Sequence, residues 1–189
     1  MSYAVSPEAN RLTVAEYLER EAVAERKHEY VAGLIYAFAG ASRRHSDAVS
    51  RLLEVLLIAR RATGCSVYTS DMLLRAAADV FYYPDVTVVC DPSDTNSRFV
   101  ERPCLVVEVL SPSTQHKDRR EKLLLYRSIE SLRGYLIVAP DEGWIELHER
   151  HADGMWRQHC VEGDEKLALP CVDAAIAAHE LFLTLQSEQ

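Results

Sequence analysis

A chain of 189 residues with 48% hydrophobic and 26% charged side chains is long enough to bury a real core, and its balance excludes a disordered or fibrous protein. The formal charge of −8 excludes a surface coated in Lys and Arg for gripping phosphates. It does not exclude a nuclease, because carboxylates that hold a metal count as negative until the metal binds.

Thr13, with Glu16 three residues on, has the pattern of a capping box and predicts a short helix. Residues 28–39 are extended around Gly33 and predict a hairpin or bent strand pair. Val49, Leu52, Leu53, Leu56 and Leu57 recur on one face, predicting an amphipathic helix over 46–62. After Gly64 the texture becomes short β-rich runs at 65–70, 82–90, 104–110, 134–139, 144–149 and 155–161. A helix is predicted over 118–129, with Leu123, Tyr126 and Ile129 on one stripe, and a last short helix over 179–185. No linker or repeat interrupts this order, so one α/β (α+β) domain is expected over 1–189.

No apolar run approaches the roughly 20 residues that cross a bilayer, and no leader-like segment opens the chain. The expected location is cytoplasmic, with no membrane partner. Cys65, Cys90, Cys104, Cys160 and Cys171 are odd in number and lack C-x-x-C spacing, so they are expected to be reduced thiols in packing roles.

Leu105-Val106-Val107-Glu108-Val109-Leu110 reads as a strand buried on both faces and interrupted by one carboxylate. An ionised Glu there costs several kcal/mol unless it is paired, protonated or holding a metal; a place at the sheet end or an Arg partner is the plainer explanation. Asp85 follows Pro84 at the start of another apolar strand, and the turn-rich 91–97 segment lets the two strands form a wide antiparallel hairpin. Two hard oxygen ligands on rigid strands suit Mg²⁺. Asp118, Lys122 and Tyr126 follow at i, i+4 and i+8 and form one row on the next helix. From spacing alone, Asp118 is as well explained as a helix cap and Lys122 as a surface ion pair. His45 beside Arg43-Arg44 is either a phosphate contact or an N-terminal helix residue. His148, His151 and His159 lack zinc-site register and are expected at the surface. Cys104 and Cys90 are weak candidates for a thiol hydrolase.

Tyr83-Pro84-Asp85-Val86, the Leu105–Thr114 run with its Glu108, and Asp118-Arg119-x-x-Lys122-x-x-x-Tyr126 together resemble the Uma-type restriction endonuclease family of the PD-(D/E)XK nuclease superfamily. The likeness extends to Thr13-x-x-Glu16-Tyr17-Leu18, to the His28–Ala37 segment, and to Ser131-Leu132-x-x-Tyr135-Leu136-Ile137-Val138. It implies a restriction-endonuclease-like mixed central β-sheet flanked by helices, with an additional antiparallel β extension. It further implies hydrolysis of DNA phosphodiesters with Mg²⁺ or Mn²⁺ held by Asp85 and Glu108, and Glu29 as a third ligand or water-orienting group. Leu110 stands where the superfamily pattern has lysine, and the resemblance gives that role to Lys122. Asp118, Tyr126 and His45 are then supporting residues, and Arg43, Arg44, Arg119 and Arg120 candidate DNA contacts. A homodimer is expected, since two related sites suit a duplex. The alternative is a non-catalytic nucleic-acid- or protein-binding module that keeps the nuclease fold.

Overall fold

Thr13 opens the first helix as its spacing predicts: its Oγ1 accepts from the Glu16 N–H at 3.3 Å, and its own N–H donates to Glu16 Oε2 at 2.8 Å. That backbone donation holds the Glu16 carboxyl below its ordinary range. The computed structural model describes residues 11–37, 41–111 and 118–182, without the side chains of Asp118 and Arg119. The end of the last predicted helix and the Pro112–Thr114 stop fall outside those residues.

Helix α1 covers Val14–Glu21 and helix α2 Arg43–Thr63. The second begins three residues before its hydrophobic pattern because Ser42 is the cap, its Oγ accepting from the His45 N–H. It ends at Gly64, whose φ of +72° a residue without Cβ adopts freely.

Thirteen strands are described: β1 (His28–Val31), β2 (Leu34–Ala37), β3 (Ser66–Thr69), β4 (Leu73–Ala77), β5 (Val80–Tyr82), β6 (Val86–Val89), β7 (Phe99–Val100), β8 (Leu105–Val109), β9 (Gly134–Ala139), β10 (Trp144–Arg150), β11 (Trp156–Glu162), β12 (Lys166–Leu169) and β13 (Ala174–Ala177). They form a six-stranded sheet in the order β11-β10-β9-β8-β6-β3, a five-stranded sheet β2-β1-β5-β4-β7, and the pair β12-β13. The six-stranded sheet is mixed, with β8 and β9 parallel and its other neighbours antiparallel.

The run expected as one strand over 82–90 is two strands in two different sheets. Pro84 has no N–H to give a ladder, and at Tyr83-Pro84-Asp85 the chain leaves β5 of the smaller sheet and enters β6 of the larger. The wide hairpin between β6 and β8 is present, with Val86 opposite Val107 and Val88 opposite Leu105.

Parallel neighbours cannot be joined by a tight turn. The β8-to-β9 connection therefore carries a helical crossover, a π-helical turn over Asp118–Lys122 that runs into helix α3 (Leu123–Ser128). Its Tyr126 packs with Val106, Tyr135 and Ile137 on one face of the large sheet, together with Leu74 and Tyr82 of the small one. The other face of the large sheet is covered by α2, by β12-β13 and by helix α4 (Ala178–Phe182), through Leu52, Leu56, Val86, Val107, Leu136, Ile145 and Ile176. Tyr17 of α1 stacks on Tyr30 against the outer face of the small sheet, beside Phe81. No described helix is long and apolar enough to cross a membrane.

Gly134 opens β9 where a Cβ would meet the Pro170 ring and lie 3.0 Å from Leu105 Cδ1. Gly134→Ala should destabilise the fold by about 1–3 kcal/mol, the usual cost of overpacking, as a lowered urea midpoint with unchanged slope.

The cysteines correct the expectation of reduced thiols: Cys65 is bonded to Cys90 and Cys104 to Cys171, while Cys160 is exposed and outside either disulfide. Sheet register explains the first pairing. Ser66 faces Val89, so Cys65 and Cys90 stand one step beyond, and the Cys104 N–H donates to Val88 O on the neighbouring strand. Partners separated by 25 and 67 residues are invisible to a search for C-x-x-C. A disulfide to Cys171 also leaves Cys104 without the thiol that a hydrolase would need.

Candidate active site

Alternation along β8 puts Glu108 on the face it shares with Val106 and Leu110, the face covered by the crossover helix. There the Lys122 ammonium lies 2.8 Å from Glu108 Oε1 and 3.2 Å from Glu29 Oε1. The Tyr126 hydroxyl donates to the same Glu108 oxygen at 2.8 Å. All three charged groups are deeply buried, with Lys122 3%, Glu108 4% and Glu29 5% exposed. Glu29 belongs to β1 of the small sheet, so Lys122 ties the two sheets together at their shared core.

Aromatic groups surround this ion cluster. The Lys122 ammonium stands 5.1 Å from the centroid of the Tyr82 ring, within range of a cation–π attraction. The Tyr82 hydroxyl donates to Glu121 Oε1 at 2.7 Å. Burial, with the Glu108 charge second, pushes the Tyr126 phenol well above its ordinary value, so it is a donor to Glu108 throughout the working pH range. Burial and the Glu121 hydrogen bond likewise raise Tyr82.

Asp85 is 6% exposed and sits where the chain passes between sheets. Its Oδ2 accepts from the Val109 N–H at 2.7 Å and lies 3.2 Å from His45 Nε2. Asp85 and Glu108 thus flank the end pair Val86–Val107 of the β6–β8 ladder. Glu108 engages the crossover helix, whereas Asp85 engages the first turn of α2 and the backbone beside Glu108.

Of the residues singled out from sequence, Glu29, Glu108, Lys122 and Tyr126 meet directly, and Asp85 and His45 meet beside them. His45 is both helix N-terminus, through Ser42, and a neighbour of Asp85. Leu110 is 5% exposed and packed in the core. Arg44 is exposed and pairs with Asp141 at 3.2 Å, while Arg43 and Arg120 are exposed. The side chains of Asp118 and Arg119 lie outside the described residues.

Tyr82 and Glu121 were not among the candidate site residues; Tyr82 stands two residues before Pro84 and Glu121 directly before Lys122, and no local pattern shows that they would meet. His148 corrects the surface expectation: it is 2% exposed, with Nε2 2.7 Å from Glu146 Oε1 and Nδ1 2.9 Å from an Arg127 guanidinium nitrogen. The reason is that Glu146 and His148 point to the face of the sheet covered by the crossover helix, where His148 stacks on Tyr135 and meets Arg127. A separate cleft of about 700 Å³, lined by residues including Asp91, Glu101, Arg102, Glu130 and Arg133, opens where Cys90 ends β6, away from the Glu108–Lys122 pair.

A mixed sheet flanked by helices, with a buried acidic cluster around one lysine, defines a nuclease-like α+β architecture. Residues 14–180 match the family model described as "Uma2: Putative restriction endonuclease", and the chain belongs to that family. Two uncharacterized proteins of Synechocystis sp. are similar to it. One is 36% identical over 174 residues, 91% of this chain and 92% of the relative; the other is 34% identical over 149 residues, 77% and 84%. Among solved structures, a protein of Anabaena variabilis described as a putative nuclease belonging to DUF820 superposes with a TM-score of 0.75 at 16% identity. That match covers 90% of this chain and 97% of the other, a likeness of fold.

Proposed function

We propose that this protein is a divalent-metal-dependent endonuclease that hydrolyses DNA phosphodiesters at the Glu29–Asp85–Glu108–Lys122 site. The observation that carries the reading is Lys122, an ammonium buried between Glu108 and Glu29 in the middle of a folded core. Structural economy gives no reason to keep such a cluster, because apolar residues of similar volume are often as stable or more so. The donor set fits Mg²⁺ or Mn²⁺, since carboxylate oxygens on rigid strands are the ligands these hard ions take. Asp85 and Glu108 would hold the ion, with Glu29 as a third ligand or water-orienting group. A divalent ion there supplies Lewis acidity, lowering the pKa of bound water and offsetting phosphate charge.

The chain's own groups do the positioning. Tyr126 fixes the Glu108 carboxylate, and the Val109 N–H with His45 fixes that of Asp85. Lys122 offsets charge that builds on the phosphoryl oxygens, the task of a preorganised cation in a dry site. Exposed Arg43 and Arg120, with Arg44 and Arg119 nearby in sequence, supply phosphate contacts at the site's margin, and Asp118 is a supporting residue on the crossover helix. One folded unit over 1–189, acting as a homodimer with two sites for the two strands, completes the reading.

The test is cleavage of plasmid and single-stranded DNA with Mg²⁺ or Mn²⁺ by the parent, Asp85→Ala and Glu108→Ala proteins. The parent should cut only with metal, and both variants should lose the activity while keeping a cooperative melt. No metal-dependent cutting, or cutting unchanged in both variants, would discard the proposal in favour of a non-catalytic binding module.

A further inference from the structure

The β10–β11 hairpin brings together Glu149, His151 and His159, whose ligand-type atoms all lie within 4.8 Å of one another. The register explains how residues ten apart meet. Glu149 stands opposite Arg157 and His159 opposite Leu147, so Glu149 and His159 are diagonal neighbours on one face of the antiparallel pair. Leu147 and Val161 bury toward α2 on that same face. The cluster therefore lies on the side of the large sheet opposite Glu108 and Lys122.

A second observation points to a ligand. The His151 side chain is 32% exposed, yet its Nε2 is shielded and makes no hydrogen bond among the described residues. Glu149 Oε2 is 3.6 Å away, beyond hydrogen-bond reach. Two ligands of a tetrahedral ion with bonds near 2.0–2.1 Å stand about 3.3 Å apart, so this pair is already close to the spacing that a shared metal imposes. His159 is exposed, and its ligand-type atom lies within the same 4.8 Å of the other two.

We infer that Glu149, His151 and His159 form an accessory site for a borderline transition dication, of which Zn²⁺ is the representative. Two imidazoles and one carboxylate select such ions over Mg²⁺, which takes oxygen ligands. The site joins the edge strand β11 to β10 and to the turn after it, closing the hairpin from outside. It is independent of the nuclease reading, since no residue is shared.

The test is calorimetric titration of Zn²⁺ into the full chain carrying Cys160→Ser, which removes the thiol next to His159 in sequence, with Mg²⁺ in excess. One binding event is expected. It should weaken in His151→Ala and in His159→Ala by no less than the roughly 10–100-fold that deleting an outer partner of a metal ligand costs. The same two variants should lose the rise in melting temperature that Zn²⁺ gives the parent. With Co²⁺, the parent should show visible d–d bands free of thiolate charge transfer. Zn²⁺ affinity unchanged in both variants, no Zn²⁺ binding at all, or a thiolate band would each overturn the site and leave Glu149–His151 as an ion pair only.

Discussion

Lys122→Met is expected to abolish metal-dependent cleavage and to lower the unfolding free energy by about 3–5 kcal/mol, the cost of leaving a buried charge uncompensated. Lys122 is held by Glu108 and Glu29 from two different sheets, so its removal places two carboxylates against an apolar neighbour. The stability effect should show as a lower urea midpoint, and the activity effect should persist at denaturant-free low temperature, where the variant is still folded. Pairing it with Glu108→Gln removes one stranded charge and should recover part of the stability but none of the cleavage. Lys122→Arg should rescue poorly, because a planar fork cannot occupy the space of a compact ammonium beneath the Tyr82 ring. A midpoint unchanged in Lys122→Met would mean that the lysine does not bind these acids.

The physical case for each site residue differed in what the sequence exposed. Glu108 was legible because a lone charge inside Leu105–Leu110 contradicts the run around it. Asp85 was legible only through Pro84 and the facing strand, and the sequence placed the pair on adjoining strands correctly. It could not place their partners. Spacing alone made Lys122 a surface ion pair, and its burial comes from the crossover helix lying between two sheets, a tertiary fact. The second sheet was itself the largest omission. Leu73–Ala77 contains two alanines and an arginine, without the β-branched alternation that marks a strand, and Phe99–Val100 is too short to leave a pattern. Glu29 joins the site because β1 belongs to that sheet, which no local property of residues 28–31 announces. The surface expectation failed at His148 for a related reason: the crossover helix covers that face of β10, and the histidine is buried there with Glu146 beside Arg127.

Reduction of the two disulfides is expected to cost the fold more than any single substitution outside the lysine cluster. In the chain-entropy account, loops closed by partners 25 and 67 residues apart contribute about 3.5 and about 4.4 kcal/mol. Cys104→Ser with Cys171→Ser should lower the urea midpoint more than Cys65→Ser with Cys90→Ser, since it opens the longer loop, which contains β8, the crossover helix and β9 to β12. Cys90 and Cys104 lie at the ends of β6 and β8 remote from Asp85 and Glu108. Cleavage by either double variant at low temperature should therefore match the parent, separating a scaffold effect from a site effect. Such bonds belong to oxidising surroundings, which sets them against the cytoplasmic location expected from the sequence. Alkylation of the protein unfolded under non-reducing conditions decides between the two: one modified cysteine, Cys160, is the expected result. Five modified cysteines, with the same urea midpoint before and after reductant, would return all of them to the role of packed thiols.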